Sequence, residues 1–479
     1  MFRNYLIIAF RNLWRQKEFS AINIIGLGVG IACSILILLW VKNELSYNRF
    51  NEKADRLYRV VQTQHYVTGP LTTTCMPGPI ARDLKKDIPE ITNSFMYYII
   101  QGVVTSDDKF FNENIRLADP ALWEMFTFEF LKGDPEHVFD DPGSAVITER
   151  FAGKYFGTED PIGKIIKINN VHLFKVTGIV KETPLNSTFR FDLCVPFENL
   201  KSMGESIDQY GWNNFYCYVE LAPGVDYKNV NEKIKNYLGL KYKELFPKET
   251  DDYLSTVDLY LFPLKDIYLH SVTGSGGRVT YVYIFSIIAM FILVIACINF
   301  MNLSTARASK RSREIGLRKV AGARKQQIII QFIGESLLIT LLAFILAMIL
   351  VYIFLPGFNV LSDKILAIDW SNIGFIIGMI VIIVFVGVLS GSYPAFYLSS
   401  LQPVTVLKAI PYKGKGSYNF RRILVVFQFV LSVTLIISTI VVYRQLAYID
   451  RKDIGMNREN IIYIDMKGKS IQTYKMLKN

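Results

Sequence analysis

Five long runs of apolar residues constrain this chain more than any other feature of its sequence. A helix needs about 20 apolar residues to cross a bilayer, and each run has this length with almost no charge. A buried helix in the core of a soluble protein is shorter and carries more charge. The sequence therefore predicts a multi-pass α-helical membrane protein whose first run is a retained anchor. The predicted spans are Phe19–Val41, Tyr281–Ser304, Ile328–Leu355, Ile373–Leu398 and Ile423–Tyr443.

The distribution of charge predicts the orientation of the spans. The chain has a formal net charge of +11, but residues 43–280 contain 26 Lys+Arg against 33 Asp+Glu. The basic surplus lies in the short segments 1–18, 305–327 and 399–422, and cytoplasmic loops carry such an excess. We therefore expect the N-terminus and both basic loops in the cytoplasm, and the domain 44–278 outside. A surplus placed in this way reflects topology and argues against nucleic-acid binding.

The large segment between the first two spans is long enough to bury a core of its own. Its apolar pattern alternates in some places, as in strands, and recurs every three to four residues in others, as in helices. We predict an α+β domain with two lobes, in which residues 95–210 are inserted between the outer pieces. Predicted strands are Leu57–Thr63, Phe174–Val180 and Phe215–Leu221, and predicted helical faces are Ile80, Leu84 and Ile88, and Val230, Ile234, Tyr237 and Leu238.

The sequence contains no recognisable motif for catalysis or for cofactor binding. The four histidines have none of the spacings of a metal site, and the cysteines expected outside allow one disulfide at most without indicating which pair. The glycines of the first span lack the strand and turn of a dinucleotide fingerprint, so close helix packing explains them better. We expect no catalytic, cofactor or metal site. These histidines, cysteines and glycines are His65, His137, His172, His270, Cys75, Cys194, Cys217, Gly26, Gly28 and Gly30.

The basic loop between the second and third spans has more pattern than a topology signal requires. Glu314 and Arg318 stand four residues apart in the favourable order. Leu317, Val320 and Ala321 form a small apolar face, and Gly322 could end a helix. The loop therefore predicts a short cytoplasmic helix that can dock in the groove of a partner and transmit the partner's motion.

Several segments resemble the MacB/FtsX-type permeases of ABC transporters. The loop sequence SREIGLRKVAGARKQQIIIQFIGESLL is similar to the segment after the second span in that family. SAVITERFAGKYFGTEDPIGKIIKI and FKVTGIVKETPLNSTFRFD resemble the MacB periplasmic core, and GSYPAFYLSSLQPVTVLK resembles the end of the fourth span. The resemblance covers residues 1 to about 410.

The resemblance implies a permease that passes motion from a separate cytoplasmic ATPase dimer to an external domain, which exports or releases a substrate. ATP would be bound by the partner and not by this chain. An FtsX-like regulator of an external partner, such as a cell-wall hydrolase, is the alternative. A periplasmic adaptor and membrane lipid are further expected partners, and the bacterial cytoplasmic membrane is the expected location. The coupling residues carried over are Arg313, Glu314, Ile315, Gly316, Leu317, Arg318, Lys319 and Gly322.

Two further expectations concern Glu335 and the end of the chain. Glu335 is the only acid in the third predicted span, where it would bond to neighbouring helix ends or reach the interface. The segment after Pro403 resembles the start of a second four-span unit, so we expect the chain to be an N-terminal fragment of a tandem member. The predicted divisions are 1–18 amphipathic helix, 19–41 first span, 44–278 extracytoplasmic domain, 281–304 second span, 305–327 coupling loop, 328–355 third span, 373–398 fourth span, 399–422 linker, 423–443 fifth span and 444–479 start of a second external domain.

Overall fold

A computed structural model describes residues 17–246, 257–272, 276–400 and 415–452, without the side chains of 307–314 and 415–421. These residues form two compact units, one made of apolar helices and the other spanning Glu44–Thr280. Most of the predicted amphipathic helix 1–18, most of the linker 399–422 and most of the stretch 444–479 lie outside the described residues. Those expectations stay predictions.

Eleven helices are present in the described residues, and five of them are long and apolar enough to cross a membrane. Each of the five covers one of the apolar runs, which confirms the predicted class of multi-pass helical membrane protein. In chain order the helices are α1 (Lys17–Leu45), α2 (Ile80–Asp87), α3 (Ala121–Met125), α4 (Glu149–Phe156), α5 (Asn199–Ser202), α6 (Tyr227–Ile234), α7 (Tyr237–Leu245), α8 (Val279–Val320), α9 (Lys325–Ser362), α10 (Ile373–Ser400) and α11 (Lys415–Arg451).

Close packing of small residues holds α1 against its neighbours in the helical unit. A Cβ atom added to Gly30 would lie 2.7 Å from the Cβ of Ala296 in α8, and one added to Gly28 would lie 3.1 Å from the Ala343 carbonyl oxygen of α9. These glycines therefore serve helix packing, as their sequence context indicates. The fifth apolar helix, α11, differs because none of its apolar window is buried.

The Glu44–Thr280 unit is built on one twelve-stranded mixed sheet. Strands from the two ends of the unit and strands from its middle form two halves, which meet where β4 pairs with β5. The path order is β12-β1-β11-β4-β5-β10-β7-β9-β6, and among the described strands only the β10–β5 and β7–β9 pairs are parallel. The strands are β1 (Leu57–Tyr66), β2 (Gly69–Thr73), β3 (Cys75–Pro77), β4 (Ile91–Ser106), β5 (Lys109–Ala118), β6 (Phe130–Lys132), β7 (Ser144–Thr148), β8 (Ile165–Ile168), β9 (His172–Val180), β10 (Leu193–Pro196), β11 (Asn213–Leu221) and β12 (Val257–Pro263).

Both faces of this sheet are buried. Along β11, Cys217 and Val219 contribute to a core that also contains side chains of α2, α4, α6 and α7. Tyr218 points to the other face, where Phe95, Phe189 and other aromatic side chains form a second core. A sheet covered on both faces accounts for the many aromatic residues of the segment, and the predicted α+β class is confirmed.

The carboxyl group of Asp119 gives this unit a pH-dependent stability. Asp119 follows β5, is partly buried, and accepts a hydrogen bond from the backbone N–H of Met96 at 2.7 Å. Burial raises the pKa of this carboxyl to about 6, with the charge of Glu198 adding to the effect, although the Met96 hydrogen bond opposes it. Because the unfolded value is about 3.9, the folded unit binds an extra proton between about pH 4 and 6. Its stability contribution therefore falls as the pH rises through this window.

Asp119→Asn should flatten this dependence, because asparagine keeps an acceptor for the Met96 N–H and carries no charge. At pH values above 6 we expect the melting temperature of the Glu44–Thr280 segment to be about 3 °C higher in the variant, the shift that about 1 kcal/mol produces in a domain of this size. At pH 4 the variant and the wild type should have the same melting temperature. Thermal unfolding at pH values from 4 to 7.5 measures this. The prediction would be contradicted if the melting temperatures of the two proteins changed with pH in parallel.

Candidate functional site

The helix that contains the second apolar span continues well past the end of that span. The apolar span of α8 ends by Ala306, but the helix runs without a break to Val320. At about 1.5 Å per residue, this extension adds about 20 Å. The sequence predicts a short cytoplasmic helix that is rigidly joined to two membrane helices. In the structure this helix continues the second span directly, since residues 305–315 contain neither Gly nor Pro. The side chains of Arg313 and Glu314 lie outside the described residues, so the predicted Glu314–Arg318 pair stays a prediction.

Gly322 ends the extension and starts the turn into α9. Its φ of +93° lies in the left-handed region that favours glycine. The Ala323 N–H donates to the Arg318 carbonyl at 3.0 Å and the Gly322 N–H donates to the Lys319 carbonyl at 3.1 Å, so the last carbonyls of the helix are satisfied. The Arg324 N–H then donates to Oε1 of Gln327 at 2.9 Å at the start of α9.

A small apolar cluster anchors the end of α8 to the neighbouring membrane helices. Ile315 is only 5% exposed and packs with Ile328 and Phe332 of α9 and with Ala395 and Leu398 of α10. Gly316 is buried as well. Tight packing of this kind makes the extension move together with the helices that it contacts.

Polar contacts complete the anchor. Arg318 donates from Nη1 to Oε1 of Gln331 at 2.7 Å, and Nε2 of Gln331 donates to Oε1 of Glu335 at 3.3 Å. Glu335 therefore bonds to a neighbouring side chain on its own helix, within a network that reaches α8. Nζ of Lys319 donates to the Ser399 carbonyl near the end of α10 at 2.7 Å. The helix dipole also favours a cation at this position. Burial lowers the pKa of Lys319, and the nearby Lys325 adds to this effect.

The opposite face of the same turn is apolar and uncovered. Leu317 is 61% exposed and Val320 is 64% exposed, and residues three apart lie side by side on a helix. Ala321 is also exposed beside them. We call Leu317, Val320 and Ala321 the outward face. The end of α8 thus has an inner face fixed to α9 and α10 and an outward face that no described residue covers.

The chain enters and leaves the Glu44–Thr280 unit through a bonded junction that sequence reasoning missed. The ring of Tyr47 stacks on that of Tyr268 with centroids 3.4 Å apart, and the Tyr268 hydroxyl donates to Oε1 of Glu44 at 3.0 Å.

Asn48 is a second part of this junction, is 1% exposed and has a φ of +61°. Its Nδ2 donates to the Leu264 carbonyl at 2.8 Å, and its Oδ1 accepts from the N–H and hydroxyl of Thr188 at 2.8 and 3.0 Å. The only signal for this role was the turn-forming character of asparagine.

The histidines and cysteines of the unit lie apart from one another. His65 pairs with Asp258 at 3.0 Å and His137 with Asp140 at 3.0 Å. No group of three His, Cys, Asp or Glu that could hold a metal occurs among the described residues. All five cysteines of the chain are free thiols, and burial raises the pKa of Cys194 and Cys217.

Comparisons with known proteins match both units. A family model of the MacB-like periplasmic core domain matches residues 20–237, and one of the FtsX-like permease C-terminal domain matches residues 286–403. The structure is also similar to the periplasmic region of MacB from Actinobacillus actinomycetemcomitans, with a TM-score of 0.32 and 16% identity over 44% of this chain and 90% of that chain.

The chain matches three relatives over different shares of their lengths. It is 28% identical to the macrolide export ATP-binding/permease protein MacB of Bdellovibrio bacteriovorus, over 55% of this chain and 38% of the relative. It is 24% identical to MacB of Chlorobium luteolum, over 84% of this chain and 59% of the relative. It is 22% identical to the ABC transporter permease YvrN of Bacillus subtilis, over 84% of this chain and 99% of the relative. The chain thus spans less than two thirds of the length of both MacB relatives.

Proposed function

The chain belongs to the MacB/FtsX-type permeases of ABC transporters, and from this we propose that it transmits motion from a separate cytoplasmic ATPase dimer to its extracytoplasmic unit. The outward face at the end of α8 is the docking surface for the ATPase. The extracytoplasmic unit acts on a substrate that is exported or released on the outer side. ATP is bound and hydrolysed by the partner, and the permease itself carries out no chemistry.

The observation that carries this proposal is the two-sided end of α8. Its inner face is fixed by Ile315, Arg318 and Lys319 to α9 and α10. Its outward face leaves Leu317 and Val320 exposed. A solvated loop that served only as a topology signal needs neither a fixed inner face nor paired apolar side chains on the outside. A helix that transmits the motion of a partner needs both the fixed inner face and the exposed apolar side chains.

Continuity of the chain provides the route for that motion. The docking residues and the second span lie on one helix, from Val279 to Val320. The first residue of this helix donates its N–H to the Leu269 carbonyl of the extracytoplasmic unit at 2.9 Å. A displacement at Leu317 is therefore delivered to the residues that close the junction around Tyr268. This route works without a pore through the helical unit.

The orientation can be tested by labelling single cysteines in intact cells with a membrane-impermeant maleimide. Cysteines that replace Arg150 and Asp363 should react from outside, because both positions lie in segments with more acidic than basic residues. A cysteine at Val320 should react only after the membrane is opened, because its loop is strongly basic. The native thiols Cys33 and Cys75 would be replaced by serine first. Reaction of the Val320 site from outside would overturn the orientation and the docking proposal together.

A further inference from the structure

A cavity of about 530 Å³ lies in the extracytoplasmic unit beside the segment 181–192, which joins β9 to β10. Its size falls within the range of small-molecule sites in proteins. Three arginines line it, Arg116, Arg150 and Arg190, together with the carboxylates of Glu182 and Asp192. They come from β5, α4 and the segment 181–192, so the fold gathers residues that are far apart in sequence.

The three arginines differ in their partners. Nε of Arg150 lies 2.8 Å from Oε1 of Glu182, and its Nη2 lies 2.7 Å from Oδ2 of Asp192. This triad uses both carboxylates of the cavity. No carboxylate in the described part of the chain lies within ion-pairing distance of Arg116 or Arg190. The charged side chains of the lining thus sum to +1, and Arg116 and Arg190 stand outside its ion pairs.

Arg116 is held in place before any ligand arrives. Its guanidinium lies 5.4 Å from the ring centroid of Tyr97 and 5.2 Å from that of Phe189. Its Nε donates to the Arg190 carbonyl at 3.0 Å, which leaves both Nη groups for another acceptor. A guanidinium fixed in this way can bind a carboxylate or a phosphate with two parallel hydrogen bonds and loses little side-chain entropy in doing so.

Two other features of the lining bear on the ligand. The hydroxyl of Thr183 is buried without a hydrogen-bond partner among the described residues, and Thr183 as a whole is 7% exposed. Leaving a buried polar group unpaired is unfavourable, so a ligand group that bonded to it would be favoured. Ile99 and Phe191 supply apolar surface in the same cavity. The lining thus combines unbalanced positive charge, an unpaired hydroxyl and an apolar wall.

We propose that this cavity binds a small anion with an apolar body, whose carboxylate or phosphate group is held between Arg116 and Arg190 and whose body contacts Ile99 and Phe191. The unbalanced positive charge selects the anion, and the apolar wall favours an aromatic or aliphatic acid over a bare ion. This site lies in the extracytoplasmic unit and its existence does not depend on docking of an ATPase at α8.

The test uses the full chain in lipid nanodiscs and 4-fluorobenzoate as the probe, followed by ¹⁹F NMR at constant ionic strength. We expect saturable broadening of the probe signal above that from empty nanodiscs. Arg190→Gln should weaken binding at least tenfold. Arg116→Lys should also weaken it, because lysine keeps the charge but loses the planar fork. The matched control Arg82→Gln removes an exposed arginine outside the cavity and should leave binding unchanged.

Inorganic phosphate added as a competitor separates the two head groups. Displacement of the probe shows that the site takes phosphate as well as carboxylate, whereas persistence of an Arg190-dependent probe signal assigns the site to carboxylates. Thermal unfolding of each variant checks that it is folded. Equal probe affinity in the wild type, Arg190→Gln and Arg116→Lys would overturn the proposal, as would the absence of saturable binding in the folded wild type.

Discussion

Leu317→Asp should abolish recovery of the cognate ATPase with the permease while leaving the permease folded in the membrane. Leu317 is 61% exposed in the unbound chain, so the substitution disturbs little internal packing. When a partner covers the outward face, the aspartate would be buried without a counter-charge, which typically costs several kcal/mol. A loss of only about 2.8 kcal/mol weakens binding about 100-fold. Co-purification from membranes that contain equal amounts of permease measures the effect.

Leu240→Asp is the matched control for this experiment. Leu240 is 63% exposed, so it has almost the same exposure as Leu317, but it lies on α7 in the extracytoplasmic unit. We expect this variant to recover the ATPase as well as the wild type does. Equal ATPase recovery and equal ATP hydrolysis with Leu317→Asp and with Leu240→Asp would refute docking at the outward face.

Asn48→Ala should destabilise the extracytoplasmic unit by about 4 kcal/mol, because it leaves buried groups unpaired. The substitution removes the amide that bonds to the Leu264 carbonyl and to Thr188. It also places alanine at a φ of +61°, which asparagine tolerates better. In a domain of this size the melting temperature should fall by about 10 °C. Thermal unfolding of the extracytoplasmic segment measures the loss.

Asn170→Ala separates the two causes of that loss. Asn170 has a similar φ of +58° but is exposed, and its side chain accepts one hydrogen bond, from the hydroxyl of Thr105 at 3.3 Å. Backbone strain alone would therefore destabilise both variants alike. We expect Asn170→Ala to cost about 1 kcal/mol. A loss as large as that of Asn48→Ala would show that the buried hydrogen bonds of the junction contribute little.

The parts of the fold that local composition determines could be predicted from the sequence. The thickness of a bilayer sets a minimum length for an apolar helix, so the five runs could be recognised without knowledge of their neighbours. The outward face could be recognised as well, because Leu317 and Val320 stand three residues apart in a polar loop. Gly322 marked the end of this helix for the same local reason.

Features that depend on residues far apart in the sequence could not be predicted. Pairing of β10 with β5 brings together segments about 80 residues apart, and nothing in either strand specifies its partner. The anchoring of Ile315 depends in the same way on Ala395 and Leu398 in a later helix. The arginine cavity is a third case, since Arg116, Arg150 and Arg190 belong to three different elements.

Photo-crosslinking at the outward face tests the central claim most directly. The permease would be made with p-benzoylphenylalanine at position 317 or at position 345, and expressed with its cognate ATPase. Ile345 is 52% exposed on α9, within the apolar span and away from the end of α8. Docking at the outward face predicts an adduct with the ATPase from position 317 and none from position 345. Absence of an ATPase adduct at 317, or equal adducts at both positions, would contradict the account.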